Sequence, residues 1–198
     1  LLDKVEGEYK RFAFTDDGIS PRSKLGMDNG IFWNTGDESD EMGHISEDPQ
    51  IRIKMMDKRM SRLDLILDSV PITQQAISFG VHDYTIISWG STKGPIIDAQ
   101  SMLKKEGIDI GFIQIKLLHP FPTEHVQSLL KGAKVLIDIE ANHSGQLGKI
   151  FKQNISRDID YHILKYTGRG MTSTEIYDSL KKIIQNKAAK REVLSHGA

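Results

Sequence analysis

The hydrophobic pattern divides the chain near residue 84. Beyond it, short apolar, β-branched runs alternate with amphipathic stretches. Before it, apolar residues are scattered, except in one long periodic segment. The run Tyr-Thr-Ile-Ile-Ser-Trp ends at a Gly90-Ser91-Thr92 turn, and Gly94-Pro95 opens a helical pattern. A strand, a glycine turn and a helix with Pro at its first position begin an α/β unit. The pattern then predicts a strand over 85–89, a helix over 95–106 with Gly107 at its C′ position, and a strand over 108–118. His119-Pro120-Phe121-Pro122 reads as a rigid loop, followed by a helix over 123–131 that Gly132 ends. A strand over 134–140 follows; Val135, Ile137 and Ile139 alternate in it, and Leu136 makes it apolar on both faces. A helix over 144–156 and a strand over 161–166 come next. Thr172 and Glu175 then stand at capping-box spacing, ahead of a helix to about Lys187.

Four strand–helix pairs with buried-looking strands predict a three-layer α/β/α fold. Its sheet is mostly parallel, of about five strands, with 72–79 or 31–33 as the source of the remaining strand. Residues 1–30 hold five glycines or prolines with little periodicity and read as extended chain. Ile31-Phe32-Trp33 is a short apolar patch, and 36–44 a polar, acidic loop. Asp48-Pro49 carries an N-cap and a first-turn proline, and a helix runs from there to about Ser69, stopped by Pro71. Ile53, Met56, Met60, Leu63 and Leu67 form its apolar stripe, expected to lie against protein. Arg52, Lys54, Lys58, Arg59 and Arg62, interleaved with Asp57, Asp64 and Asp68, read as its solvated face. The expected organisation is a linker segment with one long helix over 1–75 and an α/β domain over 76–198.

Composition removes several function classes. A net charge of −1 argues against a nucleic-acid partner. No apolar run approaches a membrane span and no signal-peptide pattern follows Leu1-Leu2, so the expectation is a cytoplasmic protein without membrane contact. The absence of cysteine excludes disulfides, thiolate metal sites, cysteine-ligated clusters and cysteine nucleophiles from this chain. A start at Leu1 without Met suggests a piece of a longer protein, or else a trimmed terminus.

Four stretches invite chemistry. The turn Gly90-Ser91-Thr92-Lys93-Gly94 and the loop Gly168-Arg169-Gly170 precede helices and could hold an anion. Neither has nucleotide-loop spacing, so a structural turn is favoured. The loop 37–48 gathers six carboxylates and His44, but Met42 and Asp48 stand where an EF-hand needs Gly and Glu. A solvated loop is favoured over a metal site. Glu140 ends a strand and precedes Asn142, His143 and Ser144. Glu140 and His143 could do acid–base work. Alternatively, Asn142 or Ser144 caps the helix and Glu140 anchors a subunit contact.

Taken in order, Ser-Trp-Gly-Ser (88–91), Leu-Leu-His-Pro-Phe-Pro (117–122) and Ile-Glu-Ala-Asn-His-Ser-Gly-Gln-Leu (139–147) resemble the transketolase C-terminal-like domain. The version most similar is that of 2-oxoacid:ferredoxin oxidoreductase α subunits. Phe-Thr-Asp-Asp-Gly-Ile-Ser-Pro-Arg (14–22), Thr-Gly-Asp-Glu (35–38) and Gly-His-Ile-Ser-Glu-Asp-Pro (43–49) resemble the segment joining that family's pyrimidine-binding domain to this one. The resemblance implies oxidative decarboxylation of a 2-oxoacid to an acyl-coenzyme A, with electrons passed to ferredoxin. It implies thiamine diphosphate, magnesium and an iron–sulfur cluster in the full complex, and none of these in this chain. The Tyr-Pro-Ile-Thr-Pro and Gly-Asp-Gly motifs of the family are absent. The chain is thus expected to be the C-terminal part of an α subunit, inactive alone, partnered by a thiamine diphosphate-binding β subunit and, through the complex, by ferredoxin and coenzyme A. Arg22, Asp37, Glu38 and His44 are the candidate cleft residues. Arg22, stiffened by Pro21, would pair with a 2-oxoacid carboxylate, with a coenzyme A phosphate, or with an acid of the 37–48 loop. The competing readings are a transketolase or oxoacid dehydrogenase β-like domain, and a non-enzymatic α/β binding module.

Overall fold

A computed structural model describes residues 1–195 and divides the chain into two compact units, Leu1–Ser69 and Val70–Ala198. The first unit is extended chain and turns followed by helix α1 (Pro49–Ser69). Asp48 caps α1 as its sequence predicts, Oδ1 accepting from the Gln50 N–H at 2.7 Å. The solvated-face and apolar-stripe expectations need correction. Arg52, Met55, Arg59 and Arg62, spaced three, four and three apart, share one face, and Met55 is the buried residue of the helix. Ile53 and Met60 of the expected apolar stripe are each 53% exposed.

The second unit opens with a helical turn, α2 (Ile72–Gln75), and strand β1 (Ala76–Ser78). Then follow β2 (Tyr84–Trp89), α3 (Lys93–Lys105), β3 (Gly111–Ile115), α4 (Thr123–Leu129), β4 (Val135–Glu140), α5 (Gln146–Ile155), β5 (Tyr161–Leu164), α6 (Ser173–Ile184) and β6 (Arg191–Val193). Among the described residues the sheet has six strands in the order β1-β3-β2-β4-β5-β6. All neighbours are parallel except β1, which runs antiparallel to β3 at the edge. The three-layer, mostly parallel fold is the expected one. Ile86, Phe112, Ile137, Ile139 and Ile163 pack on one side with Leu103 of α3 and Leu180 of α6. Ile87, Ile113 and Leu136 pack on the other with Val126 of α4 and Phe151 of α5. The strand interiors are therefore mostly apolar on both faces, with Ser88, Gln114 and Asp138 among the buried polar exceptions.

The extra strand lies within 72–79, not at 31–33, where Ile31 is 92% and Trp33 66% exposed. β6 is a sixth strand with no sequence signal: three residues, two of them charged, on the outer edge. Helix α3 starts at Lys93 after a 3₁₀ turn at Gly90–Thr92, so Pro95 sits third rather than first. It still lies in the first turn, where its missing N–H costs nothing. Helix α6 carries the full capping box between Thr172 and Glu175.

Candidate functional site

In the first unit, the loops fold onto the basic face of α1 and leave a pocket of about 630 Å³. The Glu38 carboxylate is gripped by Arg59, with Nη1 to Oε1 at 2.9 Å and Nη2 to Oε2 at 2.7 Å, and by Arg52 Nη1 at 2.7 Å. The Arg59 hydrogen bonds hold its pKa down to about 2, against the opposing effect of burial and with help from Arg52. Lys58 Nζ donates to the Phe12 carbonyl at 2.6 Å and to Ser20 Oγ, tying two turns of the arm to the helix. Gly43, with φ +94°, approaches the Trp33 carbonyl so closely that an added Cβ would lie 2.2 Å from the oxygen.

Of the candidates named from sequence, Arg22, Asp37 and Glu38 line this one pocket, together with Arg11, Thr35, Lys58, Arg59 and Arg62. His44 does not line it. It lies beside Trp33, ring centroids 6.4 Å apart, and its Nδ1 is 3.6 Å from Asp40 Oδ2. The expectation that Arg22 pairs with an acid of the 37–48 loop fails, because Arg59 and Arg52 take Glu38 first. The Arg22 guanidinium is exposed and has no hydrogen bond or ion pair among the described residues. Arg11 and Arg62 were not named as site residues from sequence. The signal was present in the 52, 55, 59, 62 spacing, masked by interleaved aspartates.

The second unit has its own cleft of about 350 Å³, lined by Trp89, Gly90, Ser91, Thr92, Ala141, Asn142 and Gln146. It lies at the carboxyl ends of β2 and β4, where the strand order reverses and open α/β sheets accept ligands. The turn beside it is tied internally: Thr92 Oγ1 bonds the Trp89 carbonyl at 2.9 Å and meets Ser88 Oγ at 2.5 Å, while Ser88 Oγ donates to the Ile139 carbonyl.

Glu140 is buried and does not meet His143. Its Oε1 accepts the Leu147 N–H at 2.8 Å and the Gly148 N–H at 3.3 Å, capping α5 from below. Its Oε2 accepts Trp89 Nε1 at 3.1 Å and Asn142 Nδ2 at 2.7 Å. Asn142 Oδ1 receives the Ser144 and Gly145 N–H groups, and Gly145, at φ 59°, delays the helix to Gln146. Burial pushes the Glu140 carboxyl up, but its hydrogen bonds prevail and its pKa is lowered. Asp138 beside it is raised well above its ordinary value, by burial first and then by the Glu140 charge. The histidine that meets these acids is His162, Nδ1 to Asp138 Oδ2 at 2.9 Å; burial lowers its pKa and keeps it neutral. His143 instead packs edge-on against Tyr166. Gly145 and Gly148 are small because His162 and Asp138 fill the space: a Cβ on Gly148 would lie 2.9 Å from His162 Cε1.

Among the described residues, no three His, Cys, Asp or Glu side chains come together as a metal site, and no helix is long and apolar enough to cross a membrane. The family model for pyruvate:ferredoxin oxidoreductase core domain II matches residues 82–185. The chain is 37% identical over its whole length to the α subunit of 2-oxoacid:ferredoxin oxidoreductase 2 of Aeropyrum pernix, of which it covers 31%. It is 40% identical over 96% of its length to a 2-oxoacid:ferredoxin oxidoreductase α subunit of Saccharolobus solfataricus, of which it covers 30%. Among solved structures, 2-oxoglutarate:ferredoxin oxidoreductase from Magnetococcus marinus, with 2-oxoglutarate, coenzyme A and succinyl-CoA bound, matches 91% of the chain. That match has a TM-score of 0.72 at 31% identity and covers 31% of the solved chain. The chain thus spans under a third of the length of these relatives. With more than half of its residues inside the family model, the chain belongs to the pyruvate:ferredoxin oxidoreductase core domain II family.

Proposed function

We propose that this chain is the C-terminal part of an α subunit in a cytoplasmic, multi-subunit 2-oxoacid:ferredoxin oxidoreductase. The whole enzyme oxidatively decarboxylates a 2-oxoacid, such as pyruvate or 2-oxoglutarate, to its acyl-coenzyme A and reduces ferredoxin. The observation that carries this reading is the family match across the α/β unit, extended by relatives that align over the arm as well. The same match disfavours a transketolase, a dehydrogenase β-like domain or a free-standing binding module.

The donor sets in this chain do not fit the complex's redox and thiamine chemistry. It has no cysteine for an iron–sulfur cluster, and its described acids gather no metal-binding group for a magnesium diphosphate. In this reading the family's thiamine diphosphate, magnesium and cluster sit on other parts of the complex, the β subunit among them. This chain contributes assembly surface and one wall of a cleft. In that wall Arg22 offers an unengaged guanidinium, able to take a carboxylate or phosphate through two parallel hydrogen bonds. Glu38 and Asp37 flank it, and His44 steadies the loop that carries them.

Arg22→Lys in the intact complex tests this role. Lysine keeps the charge and loses the fork. The KM for the 2-oxoacid or for coenzyme A is expected to rise about tenfold, as for about 1.4 kcal/mol of lost binding. Unchanged KM values, with only thermal stability or subunit retention reduced, would remove Arg22 from the cleft.

A further inference from the structure

The first unit is acidic as a whole, with ten Lys and Arg against fifteen Asp and Glu across residues 1–69. Yet Arg11, Arg22, Lys58, Arg59 and Arg62 line one pocket whose only carboxylates are Asp37 and Glu38, a surplus of three positive charges. An acidic arm that concentrates its cations in one place is not presenting a generally basic surface. The surplus is also unpaired. Arg59 is engaged by Glu38, and Lys58 by the Phe12 carbonyl and Ser20. The guanidinium groups of Arg22 and Arg62 have neither a hydrogen bond nor an ion pair among the described residues. Arg11 only lies over the rings of Phe12 and Phe32, at 5.2 and 5.5 Å, which leaves its donors free. The crowding acts on Lys58, whose pKa is lowered by burial first and then by Arg62 and Arg11, against the opposing Glu41 charge. Cations held this close without counter-charges repel one another, and an anion bound among them relieves that cost.

We propose that this pocket binds a ligand carrying two or more phosphate groups, with Arg11, Arg22 and Arg62 as its guanidinium donors. The inference rests on the oxidoreductase reading above, in which coenzyme A is the polyphosphorylated reactant. Three free guanidinium groups exceed what one carboxylate can engage, whereas a phosphate accepts each planar fork through two oxygens. The volume, about 630 Å³, falls in the range that encloses a ligand of drug size and would leave a few-carbon oxoacid loosely held. Ser39 adds a hydroxyl donor on the same wall.

The test uses the intact complex, Arg62→Gln and Arg62→Lys variants, and inorganic pyrophosphate as a competitor. Arg62 is exposed, so its replacement leaves the fold in place. The expected result is a KM for coenzyme A raised about tenfold in Arg62→Gln and less in Arg62→Lys, with the oxoacid KM unchanged. Pyrophosphate should compete with coenzyme A in the parent complex and lose that effect in Arg62→Gln. A rise in the oxoacid KM alone would overturn the proposal in favour of a carboxylate site. Loss of subunits by native mass spectrometry, with both KM values intact, would overturn it in favour of an acidic segment of a partner protein. If Arg22→Lys shifts the oxoacid KM while Arg62→Gln shifts neither, the oxidoreductase reading stands and only this inference fails.

Discussion

At the scale of single residues, the best-defined ionic contact in the arm is Glu38 between Arg59 and Arg52. Its folded pKa, about 2 against 4.5, is depressed, so the folded state binds its proton less readily than the unfolded chain does. The contribution is therefore complete above the unfolded value and is lost as pH falls from there towards 2. The Glu38 side chain is only 12% exposed, but Arg52 and Arg59 are 58% and 39% exposed and solvent screens them. A contribution of roughly 2 kcal/mol follows, rather than the full value of the shift. Glu38→Gln should reduce amide protection in residues 35–47 at neutral pH by that amount. It should also reduce the loss of protection that the parent shows on acidification below about pH 4, leaving the part due to Glu41. Hydrogen exchange read by mass spectrometry checks both arms, and equal protection in parent and variant at neutral pH would contradict the assignment.

At the scale of elements, period and capping were legible and the partner of each face was not. Helix α1 was readable to its ends, because Asp48-Pro49 opens it and Pro71 follows its stop. Its working face was not readable, because arginines that hold a loop carboxylate look like arginines in water until the loop is placed. Edge strands escaped for a different reason: β6 carries Arg191 and Glu192, so no apolar run marks it. In the loop after β4, the Asn-His-Ser sequence drew attention to His143, while the packing chose His162 from the neighbouring strand. That choice has a consequence for how α5 docks on β4 and β5. Asp138 has a folded pKa raised above its unfolded value, so its contribution is present below the unfolded value and is lost as pH rises towards the folded one. Asp138→Asn keeps the shape, accepts from His162 and removes that loss. The melting temperature of the variant relative to the parent should therefore climb as pH rises above about 3.8, the ordinary carboxylate value. A difference that is flat across this range would mean that Asp138 is ionised in the fold.

At the scale of the whole molecule, the two units differ in what they can sustain alone. The α/β unit buries continuous apolar layers on both faces of its sheet. The arm buries few large apolar side chains, Tyr9 and Met55 among them, and exposes many, including Ile19, Leu25, Ile31 and Trp33. Exposed apolar groups in such density mark surface meant to be covered. With no cysteine and no described cluster of metal-binding acids, the isolated chain should neither decarboxylate a 2-oxoacid nor hold thiamine diphosphate with magnesium. Calorimetric titration of the isolated chain with both, alongside a carbon dioxide release assay on pyruvate and 2-oxoglutarate, measures this directly. The expected outcome is no saturable heat that depends on magnesium and no release above the buffer rate. Magnesium-dependent binding at a Kd of about 1 μM, worth about 8 kcal/mol, would put the thiamine site inside this chain.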